Sequence, residues 1–340
     1  MTLKNKLSDD TKRISIAPMV DVTDRHFRYL CRILTKKAFL YTEMITAPAV
    51  IRGNRESLLS FNPIEKPLVL QIAGSNPDEI GEAVRIAENW DYDEINLNVG
   101  CPSEKVSEYN MGLSLMKNPK LVAEIVKSMK ISTKKPVSVK HRLGVIESGE
   151  KIDSVDVYKK LCKFIEIVSN EGVDKFIIHA RVGILGLDPK KNRSIPDIDY
   201  EMVYRVKEKF PDLIIEINGN IKGYREIEKH LSYVDGVMLG RISYENIMFL
   251  KNIDEFISNK SLENKIDEVK VISLMNKYIM DLESQDVDCY NILKHLYSLF
   301  SGQKGSKFWK RLVGPPWDKN KSASEILKES LLEMKIKNKK

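Results

Sequence analysis

The chain has 340 residues, of which 42% are hydrophobic and 8% aromatic, so a mainly disordered protein is excluded. This length suggests about two domains, or one large barrel with an appendage. The formal net charge of +7 is modest, because 55 Lys and Arg stand against 48 Asp and Glu. No run approaches the roughly 18 apolar residues that a membrane-spanning helix needs.

Residues 1–13 are polar and predict no secretory signal. The four cysteines lie far apart, with neither a CxxC pair nor the spacing of metal ligands. This pattern is typical of a reduced compartment and predicts neither disulfides nor a zinc site. We therefore expect a cytoplasmic protein with no bound metal and no membrane contact.

From residue 14 to about residue 250, short apolar runs rich in β-branched residues alternate with amphipathic stretches. The runs that predict strands are ISIAPM (14–19), AFLYTEM (38–44), PLVLQIAG (67–74), EINLNVG (94–100), PVSVKHR (136–142), KFIIHAR (175–181), LIIEING (213–219) and DGVMLG (235–240). Most are almost continuously hydrophobic, which is typical of parallel strands covered on both faces. In the helical stretches between them, Pro77 can occupy a first turn and Asn118 is a candidate N-cap.

Eight strand–helix units in about 240 residues predict a (β/α)8 barrel. The alternative, a doubly wound open sheet, would carry a GxGxxG turn after an early strand, and this sequence has none. After about residue 255 the strand pattern stops and the sequence becomes helical, with a break at Gly314-Pro315-Pro316. We therefore predict a barrel domain over residues 1–255 and an all-helical domain over residues 256–340.

The helical region is locally basic. Seven Lys and Arg lie between Lys294 and Lys321 against one acid, Asp318, and the last six residues, KIKNKK, add four lysines. Such a cluster suits a polyanion such as nucleic acid, although a solvated helix face and a frayed tail would look the same. Phe308 and Trp309 lie among these lysines and could stack on a base or pack between helices.

In a (β/α)8 barrel the chemistry lies at the carboxyl ends of the strands, where this sequence places many polar residues. Asn218-Gly219-Asn220 and Gly240-Arg241 follow strands seven and eight and fit a phosphate site, although both could be ordinary glycine turns. Lys140 ends a buried strand, which is costly unless it faces a polar or anionic ligand or reaches solvent. With Gln71, these residues suit flavin mononucleotide (FMN), but a sugar phosphate fits the spacing equally.

Cys101 lies between a glycine and a proline in the loop after strand four. A thiol is mostly protonated at neutral pH and can donate a proton. The alternative is a small hydrophobic side chain that fills the loop. Cys31 and Cys162 lie in apolar helical patterns and are predicted to be core residues.

The strings APMVDVTDRHFRYL, LYTEMIT, LQIAGS, YDEINLNVGCPSEKV, VSVKHRLG, FIIHAR, INGNIKG and DGVMLGR resemble the tRNA-dihydrouridine synthases, in family order and over nearly the whole chain. GLDPKKNRSIPDIDYEMVY and LFSGQKGSKFWKRLV are similar to the A-type subfamily, which modifies D-loop uridines 20 and 20a. The resemblance implies an FMN barrel with a helical tRNA-binding domain. It also implies that NADPH reduces FMN and that a hydride passes to C6 of a tRNA uridine.

The resemblance assigns roles to individual residues. Cys101 matches the proton donor to C5 of the uridine, and Asn98 matches the contact to the target base. The matches to FMN-binding positions are Pro18, Met19, Val20, Gln71, Lys140, His179, Asn218, Gly219, Asn220, Gly240 and Arg241. The matches to positions near the tRNA are Asn98, Arg142, Arg181, Asn192, Arg193, Lys307, Lys310 and Arg311. The expected partner is the D-loop of tRNA, and a monomer is expected.

The sequence departs from the family pattern at three places. Gly112-Leu113-Ser114-Leu115 stands where the family usually has Gly-Ala-Cys-Leu, Asn220 replaces a glycine of the phosphate loop, and Asn246-Ile247 replaces Asn-Pro. None of these changes removes a group that the mechanism needs.

Two other functions remain open from the sequence. An FMN barrel acting on a free pyrimidine, as dihydroorotate dehydrogenase does, shares the phosphate loops but gives no reason for the basic helical region. A non-enzymatic tRNA-binding factor gives no reason for the intact set of residues at the strand ends.

Overall fold

The structure is a computed structural model that describes residues 12–103, 109–261 and 266–339. Eight parallel strands close into a barrel in sequence order, with β8 paired to β1. The strands are β1 (Arg13–Ile16), β2 (Phe39–Thr46), β3 (Leu68–Ala73), β4 (Glu94–Val99), β5 (Val137–Glu147), β6 (Lys175–Leu185), β7 (Ile214–Asn218) and β8 (Gly236–Leu239). The predicted (β/α)8 fold is confirmed.

Helices follow the strands and cover the outside of the barrel. The α-helices of this region are Arg25–Leu34, Ala47–Arg52, Arg55–Leu59, Pro77–Ala87, Pro119–Ser132, Ser154–Ser169, Tyr200–Lys209, Tyr224–Leu231 and Ile242–Glu245, with 3-10 helices at Pro63–Glu65, Gly112–Lys117, Lys191–Arg193 and Ile247–Asn252. Pro77 opens its helix as predicted. Asn118 accepts the N–H of Leu121 at 3.2 Å, so the predicted N-cap is also confirmed.

Strands β5 and β6 are longer than predicted. The sequence pattern ended them at residues 142 and 181, whereas they pair as far as Glu147 and Leu185. The register shifts between Arg142 and Gly144, and pairing then resumes. Residues predicted to lie at two strand ends are therefore inside a longer ribbon, which changes their surroundings.

The interior of the barrel is more polar than the prediction of continuously apolar strands implies. Along β4, Ile95, Leu97 and Val99 join the main core outside the barrel, whereas Glu94 and Asn96 bond to polar side chains inside it. Alternate residues of a strand face opposite sides of the sheet. In a closed barrel, one side is the polar interior and the other is the apolar layer beneath the helices.

Four charged side chains fill the base of the barrel, where the strands begin. Arg13, Glu94, Lys175 and Glu216 are each 5% exposed or less. Glu94 lies 2.9 Å from both Arg13 and Lys175, and Lys175 lies 3.2 Å from Glu216. Two cations therefore balance two carboxylates out of contact with water, which buried charges require.

The described chain after Asn252 contains no strand. Its α-helices are Ile253–Ser258, Glu268–Glu283, Ser306–Val313 and Ala323–Lys339, with a 3-10 helix at Tyr290–Leu296. The helix Glu268–Glu283 and the 3-10 helix Tyr290–Leu296 pack on the first barrel helix, Arg25–Leu34, where Tyr278 stacks on Tyr29 at 3.9 Å between ring centroids. His295 Nε2 lies 2.9 Å from Asp24 Oδ2.

The predicted domain boundary after residue 255 falls inside the helix Ile253–Ser258. Asp254 of this helix accepts hydrogen bonds from the Thr35 hydroxyl at 2.5 Å and from the Lys36 N–H at 2.6 Å, both in the barrel. We therefore propose the division after Asn259, which ends this helix in a left-handed conformation.

Glu216→Gln should lower the free energy of unfolding by about 3–5 kcal/mol, because it leaves two buried cations with one carboxylate. Glu79→Gln is the control, since its ion pair with Arg52 is largely exposed and should cost less than about 1 kcal/mol. Urea unfolding followed by circular dichroism measures both. Equal losses in the two variants would contradict a stabilising role for the base cluster.

Candidate active site

The loops after the strands meet at one rim of the barrel, where many of the predicted site residues come together. After β1 the backbone turns back at Met19, whose carbonyl accepts the N–H of Thr23 at 2.9 Å. Pro18 and Met19 are half-buried in this turn, and Val20 is 56% exposed. Val20 therefore offers an apolar surface to a molecule at the rim.

Cys101 is half-buried in the loop after β4, whereas the other three cysteines are buried. Its N–H donates to Asn98 Oδ1 at 3.0 Å, and its carbonyl accepts the N–H of Leu113 at 2.9 Å. Its side chain packs near Ala73 and Met111. The loop thus holds the thiol at the rim by backbone bonds on both sides.

Cations surround the centre of the rim. Burial and the nearby Arg142 lower the pKa of Lys140 to about 8. Burial and four cations, Arg142, Lys140, Arg181 and Arg241, hold the pKa of His179 well below its usual range, so this imidazole is neutral at physiological pH. Within the described residues, none of these four cations forms an ion pair with a carboxylate. This excess of positive charge fits an anionic ligand.

The loop after β7 is shaped to receive such a ligand through its backbone. Gly219 and Asn220 have φ values of +134° and +51°, so two successive residues lie in the left-handed region. A Cβ at Gly219 would lie 3.0 Å from His179 Cδ2, so only glycine leaves this space open. Asn tolerates the left-handed conformation, so Asn220 can stand where the resemblance implies a glycine.

The loop after β8 lies beside it. Arg241 donates to Asn220 Oδ1 at 2.9 Å, and Asn218 Nδ2 donates to Met238 O at 2.8 Å, so the two loops are tied together. A Cβ at Gly240 would meet no atom within 4 Å, which leaves open space next to Arg241. The N–H groups, guanidinium and free volume of these loops fit the phosphate group of FMN.

The side chains of Gln71 and Asn98 are bonded to each other inside the barrel. Asn98 Nδ2 donates to Gln71 Oε1 at 2.9 Å, and Gln71 Nε2 donates to Asn96 Oδ1 at 2.7 Å. Gln71 is 1% exposed and Asn98 is 8% exposed. Their predicted contacts to FMN and to the base stay predictions.

Two residues predicted to lie near tRNA point inward instead. Arg142 is 3% exposed and donates to Gly100 O and Asn192 O, each at 3.1 Å. Asn192 is fully buried, with its side chain bonded to Ile184 and Leu187. The extended β5–β6 ribbon and its loop cover both side chains, and their predicted part in tRNA binding stays a prediction. They support the Cys101 loop from below.

Arg181 and Arg193, two further residues predicted to lie near tRNA, differ in their exposure. Arg181 is 8% exposed and donates to Pro196 O, so little of it can reach a ligand. Arg193 is exposed beside the exposed Lys190 and Lys191, and this basic loop is free to meet a phosphate backbone.

Lys307, Lys310 and Arg311 are exposed on the helix Ser306–Val313 and line a cleft of about 570 Å³. Lys310 also lines a second cleft of about 400 Å³, together with Asp21 and Val22 from the loop after β1. The basic helix Ser306–Val313 therefore borders the barrel rim. The sequence did not reveal this proximity, because the two segments are far apart along the chain.

The two aromatic residues of this helix have different roles. Trp309 is fully buried and donates to Leu296 O at 2.8 Å, so it packs between helices and cannot stack on a base. Phe308 lines the larger cleft, with Lys337 Nζ 4.1 Å from its ring centroid.

The departure at Gly112-Leu113-Ser114-Leu115 is accommodated by a small residue, Gly183, on β6. Leu113 is fully buried, and a Cβ at Gly183 would overlap its two methyl groups as well as Cδ of Arg142. The Leu113 side chain, under the Cys101 loop, therefore fits only because residue 183 on β6 is a glycine.

In the described residues, no group of His, Cys, Asp and Glu side chains could hold a metal ion. In the same part of the chain, no helix is both long and apolar enough to cross a bilayer.

Gly183→Ala should destabilise the protein by about 1–3 kcal/mol through overpacking, and Leu113→Ala by about 2–5 kcal/mol through a cavity. Because the added methyl group would enter the space that Leu113 vacates, the double variant should be more stable than the sum of the two losses. A double-mutant cycle in urea measures this coupling. Additive losses would show that the two residues do not share one space.

A sequence model of the family described as "Dihydrouridine synthase (Dus)" matches residues 15–337. A tRNA-dihydrouridine(20/20a) synthase of Synechocystis sp. is 45% identical over 325 residues, which cover 95% of each chain. The synthase of the same name from Escherichia coli K12 is 42% identical over 321 residues, covering 94% of this chain and 90% of that protein. A solved structure of morphinone reductase in complex with tetrahydroNAD matches with a TM-score of 0.49 and 10% identity, covering 76% of this chain and 90% of that one. The last likeness is too low to bear on function.

Proposed function

This chain belongs to the dihydrouridine synthase family, and we propose that it reduces D-loop uridines 20 and 20a of tRNA to dihydrouridine, with FMN as cofactor and NADPH as electron donor. One observation carries the proposal: a half-buried thiol is held at the rim beside cations that lack an acidic partner. The relatives named tRNA-dihydrouridine(20/20a) synthase match nearly the whole chain, which supports the same substrate.

The rim residues fit FMN. Gly219, Asn220, Gly240 and Arg241 would hold its phosphate through N–H groups and a guanidinium, and Lys140 would face its ring system. Bound and reduced FMN supplies a hydride for C6 of uracil. The neutral imidazole of His179 can offer a hydrogen-bond donor there without adding further positive charge.

Cys101 would complete the reduction. The C5=C6 bond of uracil is conjugated with the C4 carbonyl, so addition of a hydride at C6 requires a proton at C5. The Cys101 thiol would give its proton to C5 and become a thiolate, which solvent then reprotonates. The nearby cations Lys140 and Arg142 would stabilise that thiolate, because each interacts electrostatically with Cys101.

The substrate has to be positioned from outside the barrel. A uridine in folded tRNA must leave its stack to reach the rim, at a cost of about a few kcal/mol. Phosphate contacts to Lys307, Lys310 and Arg311, and to Arg193 on the β6 loop, would offset this cost. We propose that the helical region binds tRNA in this way and that the protein acts as a cytoplasmic monomer.

Cys101→Ala should retain bound flavin but form dihydrouridine about 10² to 10⁴ times more slowly, because only the proton donor is lost. The measurement is single-turnover reduction of unmodified tRNA, with the product mapped by mass spectrometry. Cys289→Ala, which removes a buried thiol in the helical region, should stay active. Full activity of Cys101→Ala would exclude the proton-donor role, and reduction of free uridine monophosphate at the rate of tRNA would favour a free pyrimidine as substrate.

Replacing Lys307, Lys310 and Arg311 by Gln should raise the KM for tRNA at least about tenfold and reduce the slope of log affinity against log salt by about three. The matched control replaces Lys120, Lys127 and Lys134, which are exposed on or next to the helix Pro119–Ser132 and carry the same total charge. Filter binding at several salt concentrations measures both. Equal effects of the two triple variants would show that net charge, and not this surface, binds the tRNA.

A further inference from the structure

A chain of hydrogen bonds between side chains runs through the barrel from its base to the Cys101 loop. Ser138 donates to Glu94, Asn96 donates to Ser138 at 2.8 Å, Gln71 donates to Asn96 at 2.7 Å, and Asn98 donates to Gln71 at 2.9 Å. Asn98 Oδ1 then accepts the N–H groups of Gly100 at 3.1 Å and Cys101 at 3.0 Å. Every side chain in this series is 8% exposed or less.

The chain has a direction, and Glu94 sets it. A carboxylate only accepts hydrogen bonds, so Ser138 must donate its single hydroxyl proton to Glu94. Ser138 can therefore only accept a hydrogen bond from Asn96. Asn96 therefore turns its NH2 group toward Ser138 and its oxygen toward Gln71. The same choice repeats at each amide, so every donor points toward the base of the barrel.

The last link decides the shape of the Cys101 loop. Because Gln71 presents its oxygen to Asn98, Asn98 must direct its NH2 group to Gln71 and its oxygen to the loop. A reversed Asn98 amide would face two backbone N–H groups with its own NH2 group, and both loop bonds would be lost. Uniform amide orientation along the series is therefore needed to hold Cys101.

We infer that Glu94 and Ser138 are positioning residues: through the buried series of amides they fix the orientation of Asn98 and thereby the placement of Cys101. This role rests on the proposed function only in that Cys101 is taken as the proton donor. Arg13 and Lys175 hold the Glu94 carboxylate in place at 2.9 Å, so the base cluster anchors the series as well as stabilising the barrel.

The structure contains a matched control for this inference. Ser15 is also fully buried, and it donates to the other carboxylate of the cluster, Glu216, at 2.7 Å. Ser15 accepts no hydrogen bond from the amide series. Removing its hydroxyl perturbs the same charged cluster without touching the series that ends at Cys101.

The experiment compares Ser138→Ala, Ser15→Ala and the conservative variant Ser138→Thr in the full-length flavin-loaded protein. One readout is the rate at which iodoacetamide alkylates Cys101, followed by mass spectrometry of the peptide that contains it. The other is kcat and KM for unmodified tRNA. We expect Ser138→Ala to change the alkylation rate at least about threefold and to lower kcat about tenfold, with KM unchanged within twofold.

Ser15→Ala should leave both readouts within twofold of the wild type, and Ser138→Thr should recover most of the loss because it keeps the hydroxyl. Asn96→Ala interrupts the series one link nearer Cys101 and should reproduce Ser138→Ala, which keeps the test decisive if Ser138→Ala does not fold. Equal behaviour of Ser138→Ala and Ser15→Ala, or no change at Cys101 in either interrupted variant, would overturn the inference. The two proposals can also fail separately. If Ser138→Ala and Ser15→Ala differ in the alkylation rate of Cys101 but the wild type forms no dihydrouridine, the positioning role is upheld and the proposed function is refuted.

Discussion

The distribution of charge along the barrel axis is the constraint on which the rest of the structure depends. At the base, Arg13 and Lys175 are balanced by Glu94 and Glu216, so the interior can bury all four. At the rim, Lys140 and Arg241 have no carboxylate partner among the described residues. The charges at the base are therefore neutralised within the protein, whereas the excess positive charge at the rim fits an anionic ligand. A closed barrel allows this separation of charge because the strands begin at one end of its interior and finish at the other.

The Cys101 loop depends on supports from three directions. Its backbone is bonded to Asn98 within β4 and to Leu113 across the loop. Arg142 from β5 donates to the carbonyl of Gly100, which precedes the cysteine. These bonds fix the backbone on which the half-buried thiol packs near Ala73 and Met111. The barrel supplies the rigidity that a proton donor requires.

The sequence predicted the barrel and much of its rim, since strand periodicity and glycine turns are local signals. The sequence did not predict that Arg142 and Asn192 support the Cys101 loop. Their positions depend on how far β5 and β6 pair beyond the apolar runs that predicted them. The match between Leu113 and Gly183 joins residues about 70 positions apart, so no local pattern contains it. Glu94 did carry a signal, a charged residue opening an apolar strand, but its partners become apparent only when the barrel closes.

Contacts between the barrel and the helical region fix where the basic surface lies relative to the barrel rim. Asp24 caps the helix Arg25–Leu34 by accepting the N–H groups of His26 and Phe27, and it also accepts from His295. Although burial opposes it, the hydrogen bond from His295 holds the pKa of Asp24 well below its usual range, so this carboxylate stays ionised at any physiological pH. The loop after β1 and the 3-10 helix that carries His295 are thus joined by one charged group. Because Lys310 borders the cleft at this junction, the position of the basic surface relative to Cys101 follows from packing and does not require a moving hinge.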